Sequence, residues 1–280
     1  MLDIKETPRL GYGLAQKQQR AHEDRYQIKT IGNYRYFAVF DGHGGAFRMN
    51  TNHVADVCSN VLHVQLAMKL FNSENNNIKN IIKDSFLEFD RFMYDEGKLY
   101  GCTCTMILID DYNKLIYQIN LGDSRSVIFT DQEIIAVTTD HKPSDTNERE
   151  RILTAGGYIS ANNRIDGTLN IARGFGDFHL KYKDNIYDPI NGKVSAVPDI
   201  RVFDYSQSNV PINIILASDG IYESPNVNDV SLIHMFYDIS NNININTPEL
   251  KAILDKVAFY MIDATAFKST DDITLILVKV

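Results

Sequence analysis

The feature that most restricts the fold is a pair of short apolar runs joined by a polar turn of five residues. The runs cover residues 102–109 (CTCTMILI) and 115–121 (LIYQINL), and the turn between them reads DDYNK. Two strands this close in sequence pair as a β-hairpin, because parallel strands need a crossover of a dozen or more residues. The sequence therefore predicts antiparallel sheet.

The other predicted elements are strands and helices in loose alternation. Further apolar runs predict strands at 36–40, 126–130, 212–217 and 273–280. Apolar residues at helical spacing predict helices at 52–70, 78–94, 148–155, 229–239 and 248–264. We therefore expect an α+β fold of antiparallel sheets flanked by helices, and not a doubly wound parallel sheet. No long linker rich in Pro, Gly or Ser interrupts the chain, so residues 1–280 are expected to form a single domain.

Two of the predicted helices are supported by further sequence features. In the second helix, apolar side chains recur about one turn apart from Ile78 to Phe92. Thr247 and Pro248 suit the N-cap and the first position of the last helix.

The composition limits the partners and the compartment. The net charge of −8 disfavours a general nucleic-acid binder, because phosphates would be repelled. No segment resembles a secretory signal or is apolar for long enough to span a bilayer, so we expect no membrane partner and, by default, a cytoplasmic or nuclear protein. Cys58, Cys102 and Cys104 are interpreted as reduced core residues and not as a zinc knuckle, which needs two spacer residues and a second pair.

Acidic residues stand repeatedly at the ends of the predicted strands. Asp41 ends an apolar run in YFAVFDGHGG, and Asp219 does the same in IILASDG. Asp271 and Asp272 directly precede ITLILVKV, and Asp177 follows a glycine-rich turn. One such Asp-Gly pair is an ordinary turn signal. Several of them, each beside an apolar strand, suggest a shared acidic site.

The chemistry of such a site follows from its charge. Carboxylates brought together repel, so some must bind protons unless divalent cations neutralise them. Oxygen ligands favour Mg²⁺ or Mn²⁺ over zinc. Two such ions can bind a phosphate ester and activate a water. His43, beside Asp41, could protonate the leaving oxygen, although a lone histidine in a turn is also compatible with a structural role.

The chain resembles the metal-dependent Ser/Thr protein phosphatases of type 2C in ten motifs that follow the family's order: HED, DGHGG, GCT, NLGDSR, DHKP, ERERILTAGG, LNIARGFGD, VSAVPDI, ASDGIYE and TDDITLILV. The resemblance runs from about residue 12 to 280. It implies a four-layer αββα sandwich, with two antiparallel β-sheets between helices and a dinuclear site at one end. It further implies hydrolysis of phosphoserine and phosphothreonine in protein substrates by a metal-bridging water, without a phosphoenzyme intermediate. We also expect a monomer.

The resemblance implies a set of metal ligands, to Mg²⁺ or Mn²⁺. Asp41 matches the carboxylate that bridges two ions, and the Gly42 carbonyl would bind one of them. Asp219 and Asp271 match ligands of the other ion. Asp177 resembles the residue that holds a third, weaker ion together with Asp219.

Other positions match further family roles. Glu23 and Asp24 would reach the ions mainly through waters, and His43 resembles the general acid. Residues 178–197 match a variable flap that influences substrate choice. Structural roles are implied for Thr103, Asp123, Ser124, Arg125, Arg173, Gly174 and Gly176.

The sequence departs from the family pattern at three places. Gln19 stands where a phosphate-binding Arg is usual, and Arg20, next to it, could take over after a one-residue deletion. Glu223 replaces the usual Asp after ASDGIY, which puts the third ion in question. Asp272 replaces an Asn beside the ligand Asp271 and adds a charge.

Three rival functions compete with this interpretation. A pseudophosphatase acting as a binding or regulatory protein would typically have lost metal ligands, whereas all the core carboxylates are present. A metal-dependent nuclease would need a basic path for its substrate, and the chain has no run rich in Lys or Arg. A kinase would need a complete nucleotide-binding loop and an HRD catalytic loop. GYGLAQ matches the first only in part, and no HRD motif accompanies it.

Overall fold

The structure, a computed structural model, describes residues 11–18, 22–44, 53–72, 77–95, 100–183, 186–242, 250–265 and 269–280. Within these residues the strands are β1 (Gly11–Lys17), β2 (Asp24–Ile31), β3 (Tyr34–His43), β4 (Gly101–Cys102), β5 (Cys104–Asp110), β6 (Leu115–Leu121), β7 (Arg125–Phe129), β8 (Ile134–Val137), β9 (Phe175–Gly176), β10 (Tyr182–Lys183), β11 (Ile186–Tyr187), β12 (Asp199–Asp204), β13 (Asn213–Ala217) and β14 (Ile273–Lys279). The helices are α1 (His53–Val57), α2 (His63–Asn72), α3 (Ile78–Asp95), α4 (Thr146–Thr154), α5 (Asp229–Asn242) and α6 (Leu250–Thr265).

Two antiparallel sheets form the centre of the fold. One has five strands in the order β1-β14-β13-β7-β8. The other has seven strands, in the order β12-β6-β5-β3-β4-β9 with β2 paired to β3. The predicted hairpin is confirmed, because β5 pairs with β6 and Asp110 lies opposite Leu115. A separate small hairpin, β10–β11, lies in the predicted flap.

Strand β3 shows why the molecule has four layers. Tyr36, Ala38 and Phe40 pack into the core between the seven-stranded sheet and helices α1 to α3. The alternate residues Phe37 and Val39 pack into the core between the two sheets. Both faces of the strand are buried, which explains a continuous apolar run where a half-exposed strand would alternate. A third core, between the five-stranded sheet and helices α5 and α6, completes the predicted αββα sandwich.

The elements that were not predicted are mostly strands with partly exposed side chains. Those with mixed burial along their length are β1, β2, β8 and β12. The two-residue strands β9, β10 and β11 were not predicted either. The predicted strand 102–109 is two strands separated at Thr103, and the predicted helix 52–70 contains a π-helical segment, Cys58–Leu62. Phe92 was predicted on the apolar face of α3 but is 43% exposed, because Met93 takes the buried position. Thr247 and Pro248 lie outside the described residues.

Two further expectations concern cysteines and the membrane. Cys58, Cys102 and Cys104 are buried and form no disulfide. In the part of the chain that the structure describes, no helix is both long and apolar enough to cross a bilayer.

Candidate active site

The ends of four strands meet at one edge of the sandwich and bring the predicted carboxylates together. In the β2–β3 ladder, Asp24 lies directly opposite Asp41. Asp219 follows the end of β13, and Asp271 precedes the start of the neighbouring strand β14. Since antiparallel neighbours run in opposite directions, the end of one and the start of the next lie at the same edge. The Asp-after-strand pattern in the sequence therefore corresponds to one cluster.

Hydrogen bonds across the two sheets hold this cluster. Ser218 Oγ donates to Asp24 Oδ2 over 2.7 Å and accepts the backbone N–H of Thr274 over 2.9 Å. The backbone N–H of Glu23 donates to Asp272 Oδ2 over 2.6 Å. Asp272 therefore ties β14 to the start of β2.

The side chain and backbone of Thr103 form hydrogen bonds with the backbone of Asp41. Thr103 Oγ1 accepts the backbone N–H of Asp41 over 3.2 Å and lies 2.7 Å from Ser124 Oγ. The N–H of Thr103 donates to the Asp41 carbonyl over 2.8 Å. These contacts agree with the structural role expected for Thr103 and Ser124, since both fix the end of β3.

Burial and mutual repulsion make the carboxylates reluctant to ionise. Burial raises the pKa of Asp24 to about 7 and, with the charge of Asp123, the pKa of Asp219 to about 7. Burial and the charge of Asp219 raise the pKa of Asp41 well above its ordinary value. Burial also raises the pKa of Asp271. Such a cluster needs either protons or a cation, because like charges in a poorly solvated site destabilise one another.

The donor set suits a hard divalent cation. Asp219 Oδ1 is shielded from solvent and has no hydrogen-bond partner among the described residues, which is costly for a carboxylate oxygen without a cation. Within the described ranges, no three His, Cys, Asp or Glu side chains converge closely enough to hold an ion by themselves. An ion here would complete its shell with backbone oxygens and waters, as Mg²⁺ commonly does.

His43 forms an ion pair with Asp177 beside the cluster. His43 Nε2 donates to Asp177 Oδ2 over 2.6 Å. Burial lowers the pKa of His43, but the charge and the hydrogen bond of Asp177 outweigh it, so the net pKa is raised. Asp177, expected to hold a third ion with Asp219, is thus engaged with His43. Glu223 is engaged as well, since its carboxylate accepts from Ser269 Oγ and the N–H of Thr270.

One ion pair of the site was not predicted. Asp123, interpreted from sequence as structural, lies among the acidic residues and raises the pKa of both Asp41 and Asp219. Lys142 Nζ donates to its Oδ2 atom and thereby places a cation at the edge of the cluster. The signal was available in the sequence, because Asp123 follows the apolar run of β6 and stands beside a glycine, as Asp41 follows the apolar run of β3 and stands beside Gly42.

The proposed phosphate-binding residues are not part of this description. Gln19 and Arg20 lie outside the described residues. Whether either contacts a substrate phosphate stays a prediction.

Comparisons with known proteins identify the family and agree with the fold. The profile of the family described as Protein phosphatase 2C matches residues 15–250. The chain is 30% identical over 266 residues to Probable protein phosphatase 2C 6 of Paramecium tetraurelia, across 87% of this chain and 82% of that protein. It is 32% identical over 207 residues to Protein phosphatase 2C homolog 2 of Saccharomyces cerevisiae, across 71% of this chain and 42% of the yeast protein. A solved phosphatase from a pathogenic strain of Toxoplasma gondii superposes with a TM-score of 0.75 at 21% identity, across 96% of this chain and 94% of that chain.

The αββα sandwich is a fold shared with a solved phosphatase, and carboxylates clustered at its edge are compatible with a metal-dependent hydrolase. Within that class, the chain belongs to the Protein phosphatase 2C family and is a protein serine/threonine phosphatase. The family is metal-dependent and acts on phosphoproteins. The family match confirms the expected enzyme class, and the solved phosphatase confirms the expected fold.

Proposed function

We propose that residues 1–280 form a single phosphatase domain that hydrolyses phosphoserine and phosphothreonine by direct attack of water on phosphorus. The observation that carries this proposal is the partly buried carboxylate cluster, in which Asp219 Oδ1 has no hydrogen-bond partner among the described residues. A protonated cluster would be inert towards phosphate, whereas a cation-loaded one attracts it. The family's dependence on metal supports the second state.

The residues that would hold two Mg²⁺ or Mn²⁺ ions are Asp41, the Gly42 carbonyl, Asp219 and Asp271, with Glu23 and Asp24 acting through waters. When bound, the two ions would neutralise the phosphate and make a water nucleophilic at neutral pH. A third ion at Asp177 would have to compete with His43 for the same carboxylate.

His43 is proposed to protonate the departing oxygen. The charge of Asp177 favours the imidazolium form, which carries two ring protons. Asp177 accepts one of these protons and the other can be donated to the leaving group. A serine or threonine alkoxide needs this proton because it is a poor leaving group.

Direct attack by water is further supported by the state of the thiols. Cys58, Cys102 and Cys104 are fully buried, and burial raises the pKa of Cys58 and Cys104 well above the ordinary value. None of the three is therefore suited to act as a phosphate-accepting nucleophile.

The test is release of phosphate from a phosphothreonine peptide with Mn²⁺, with Mg²⁺ and with chelator. We expect metal-dependent release that falls by orders of magnitude in Asp219→Asn, and no phosphorylated protein after acid quenching during turnover. Asp204→Asn is the matched control, because Asp204 also ends a strand but is exposed and remote from the cluster. Release that is unchanged in Asp219→Asn, or a phosphorylated intermediate, would contradict the proposal.

A further inference from the structure

A fully buried ion pair links helix α3 to the flap, outside the carboxylate cluster. Lys181 Nζ donates to Asp90 Oδ1 over 2.6 Å, and neither side chain has any exposed surface. Removing two charges from water is costly, and apolar replacements of such pairs are often neutral or stabilising. A contribution to stability alone is therefore a weak explanation for this pair.

The Asp90 carboxylate fixes three segments at once. Its Oδ1 atom also accepts the backbone N–H of Gly176 over 2.9 Å, and its Oδ2 atom accepts the hydroxyl of Tyr187 over 2.7 Å. Lys181 in turn donates to the carbonyl of Gly174 over 2.8 Å. Helix α3, the glycine-rich turn and flap strand β11 are thus held by one pair of side chains.

The turn that is held in this way carries Asp177. Gly176 has a φ of 75° and Asp177 a φ of 51°, so both lie in the left-handed region. This conformation is uncommon for a residue with a side chain, although Asp adopts it more readily than most. Asp177 binds His43 through its carboxylate, so the position of the turn determines how the imidazole is oriented.

We propose that Asp90, Lys181 and Tyr187 are positioning residues that orient the His43–Asp177 pair according to whether the flap is docked on α3. This inference rests on the proposed role of His43 as general acid. With the flap docked, Tyr187 completes the hydrogen bonds of Asp90 and the turn presents Asp177 to His43. Without that contact, Asp90 loses one of its three partners and holds the turn less firmly.

The most informative variant is Tyr187→Phe, because it removes one hydroxyl and keeps the ring that stacks on Tyr94 at 4.4 Å. Tyr182→Phe is the matched control. Its hydroxyl lies on the same flap hairpin and contacts Tyr94 over 2.7 Å, but it does not reach Asp90. Lys181→Met is the stronger variant, although it leaves Asp90 buried without its cation and can impair folding.

The readout is kcat for a phosphothreonine peptide compared with kcat for p-nitrophenyl phosphate, whose aryl leaving group needs little protonation. We expect Tyr187→Phe to lower kcat for the peptide about fivefold more than kcat for the aryl ester, since misplacing a general acid removes part of its effect. Tyr182→Phe should change the ratio of the two values by less than about twofold. A purely structural role would lower both values equally.

His43→Ala separates this inference from the function on which it rests. If His43→Ala lowers both kcat values equally, the acid role itself is wrong. The positioning role is overturned, and the acid role stands, if His43→Ala lowers kcat more for the peptide than for the aryl ester but Tyr187→Phe lowers both equally. It is also overturned if Tyr182→Phe lowers kcat for the peptide preferentially to the same extent as Tyr187→Phe.

Discussion

Gly101 is the position at which one added methyl group should disturb His43, the proposed general acid, and leave the carboxylate cluster in place. It lies opposite His43 in the β3–β4 ladder and opposite Gly176 in the β4–β9 ladder. A Cβ atom at this position would lie 2.1 Å from Asp177 Oδ2 and 2.6 Å from His43 Nε2. The His43–Asp177 hydrogen bond therefore occupies the space that a side chain at position 101 would need.

The size of the effect follows from these distances. Non-bonded heavy atoms come no closer than about 3.5 Å without strain, so Asp177 Oδ2 must move by more than about 1 Å. That displacement breaks a hydrogen bond that is 2.6 Å long in the wild type. General acids contribute about 10²-fold or more, so Gly101→Ala should lower kcat for a phosphothreonine peptide by roughly 10². The three clashing atoms all belong to the side chains of Asp177 and His43 and none to the backbone, so the fold should survive.

The assay compares peptide and p-nitrophenyl phosphate turnover in Gly101→Ala, His43→Ala and the double variant. We expect the aryl ester to lose less than about fivefold, because its leaving group needs little protonation. In the His43→Ala background, Gly101→Ala should have little further effect, since the imidazole that Asp177 orients is already absent. Equal losses on both substrates, or additive losses in the double variant, would refute the reasoning.

Three further predictions address the carboxylate cluster. In chelator, the free energy of unfolding of the wild type should fall relative to that of Asp219→Asn as the pH rises from 3.8 to about 7. The reason is that the folded state keeps a proton on Asp219 that the unfolded chain releases. Calorimetry across this pH range measures the difference in stability. Lys142→Met should tighten Mn²⁺ binding about threefold to tenfold in titration calorimetry, since the charge of Asp123 is then uncompensated. Gly220→Ala should destabilise the protein by about 1–3 kcal/mol in urea unfolding, because its Cβ would lie 2.2 Å from the backbone oxygen of Asp272.

Each of these predictions has an outcome that contradicts it. A pH-independent difference between wild type and Asp219→Asn would mean that Asp219 ionises normally. Lys193→Met removes an equivalent ion pair, with Asp166, away from the cluster, so equal effects on Mn²⁺ binding would exclude a local cause. Wild-type stability of Gly220→Ala would mean that the chain near residue 272 can move aside.

The carboxylate cluster could be predicted because its signal is local in sequence. Asp41 and Asp219 each end a run of buried residues, and an apolar run that stops on an acid beside glycine is visible without knowing the fold. Edge strands such as β1 and β12 escaped prediction because one face is partly exposed and their polar residues mask the pattern. Asp123 has the same local signal as Asp41, but the resemblance to the family assigned it a structural role.

The residues proposed to orient His43 could not be predicted, because they come together only through sheet pairing and across long stretches of chain. Lys181 and Asp90 are 91 residues apart, and neither stands out among the other charged residues of its segment. In the sequence, Gly101 is only part of the GCT motif and Gly176 only a structural residue of a glycine-rich turn, yet register places them side by side next to His43. Their missing side chains provide the space in which Asp177 reaches the imidazole. The proposed metal-binding half of the site is therefore determined by where apolar runs end, and the proposed proton-donating half by which residues lie opposite one another in the β3–β4–β9 ladder.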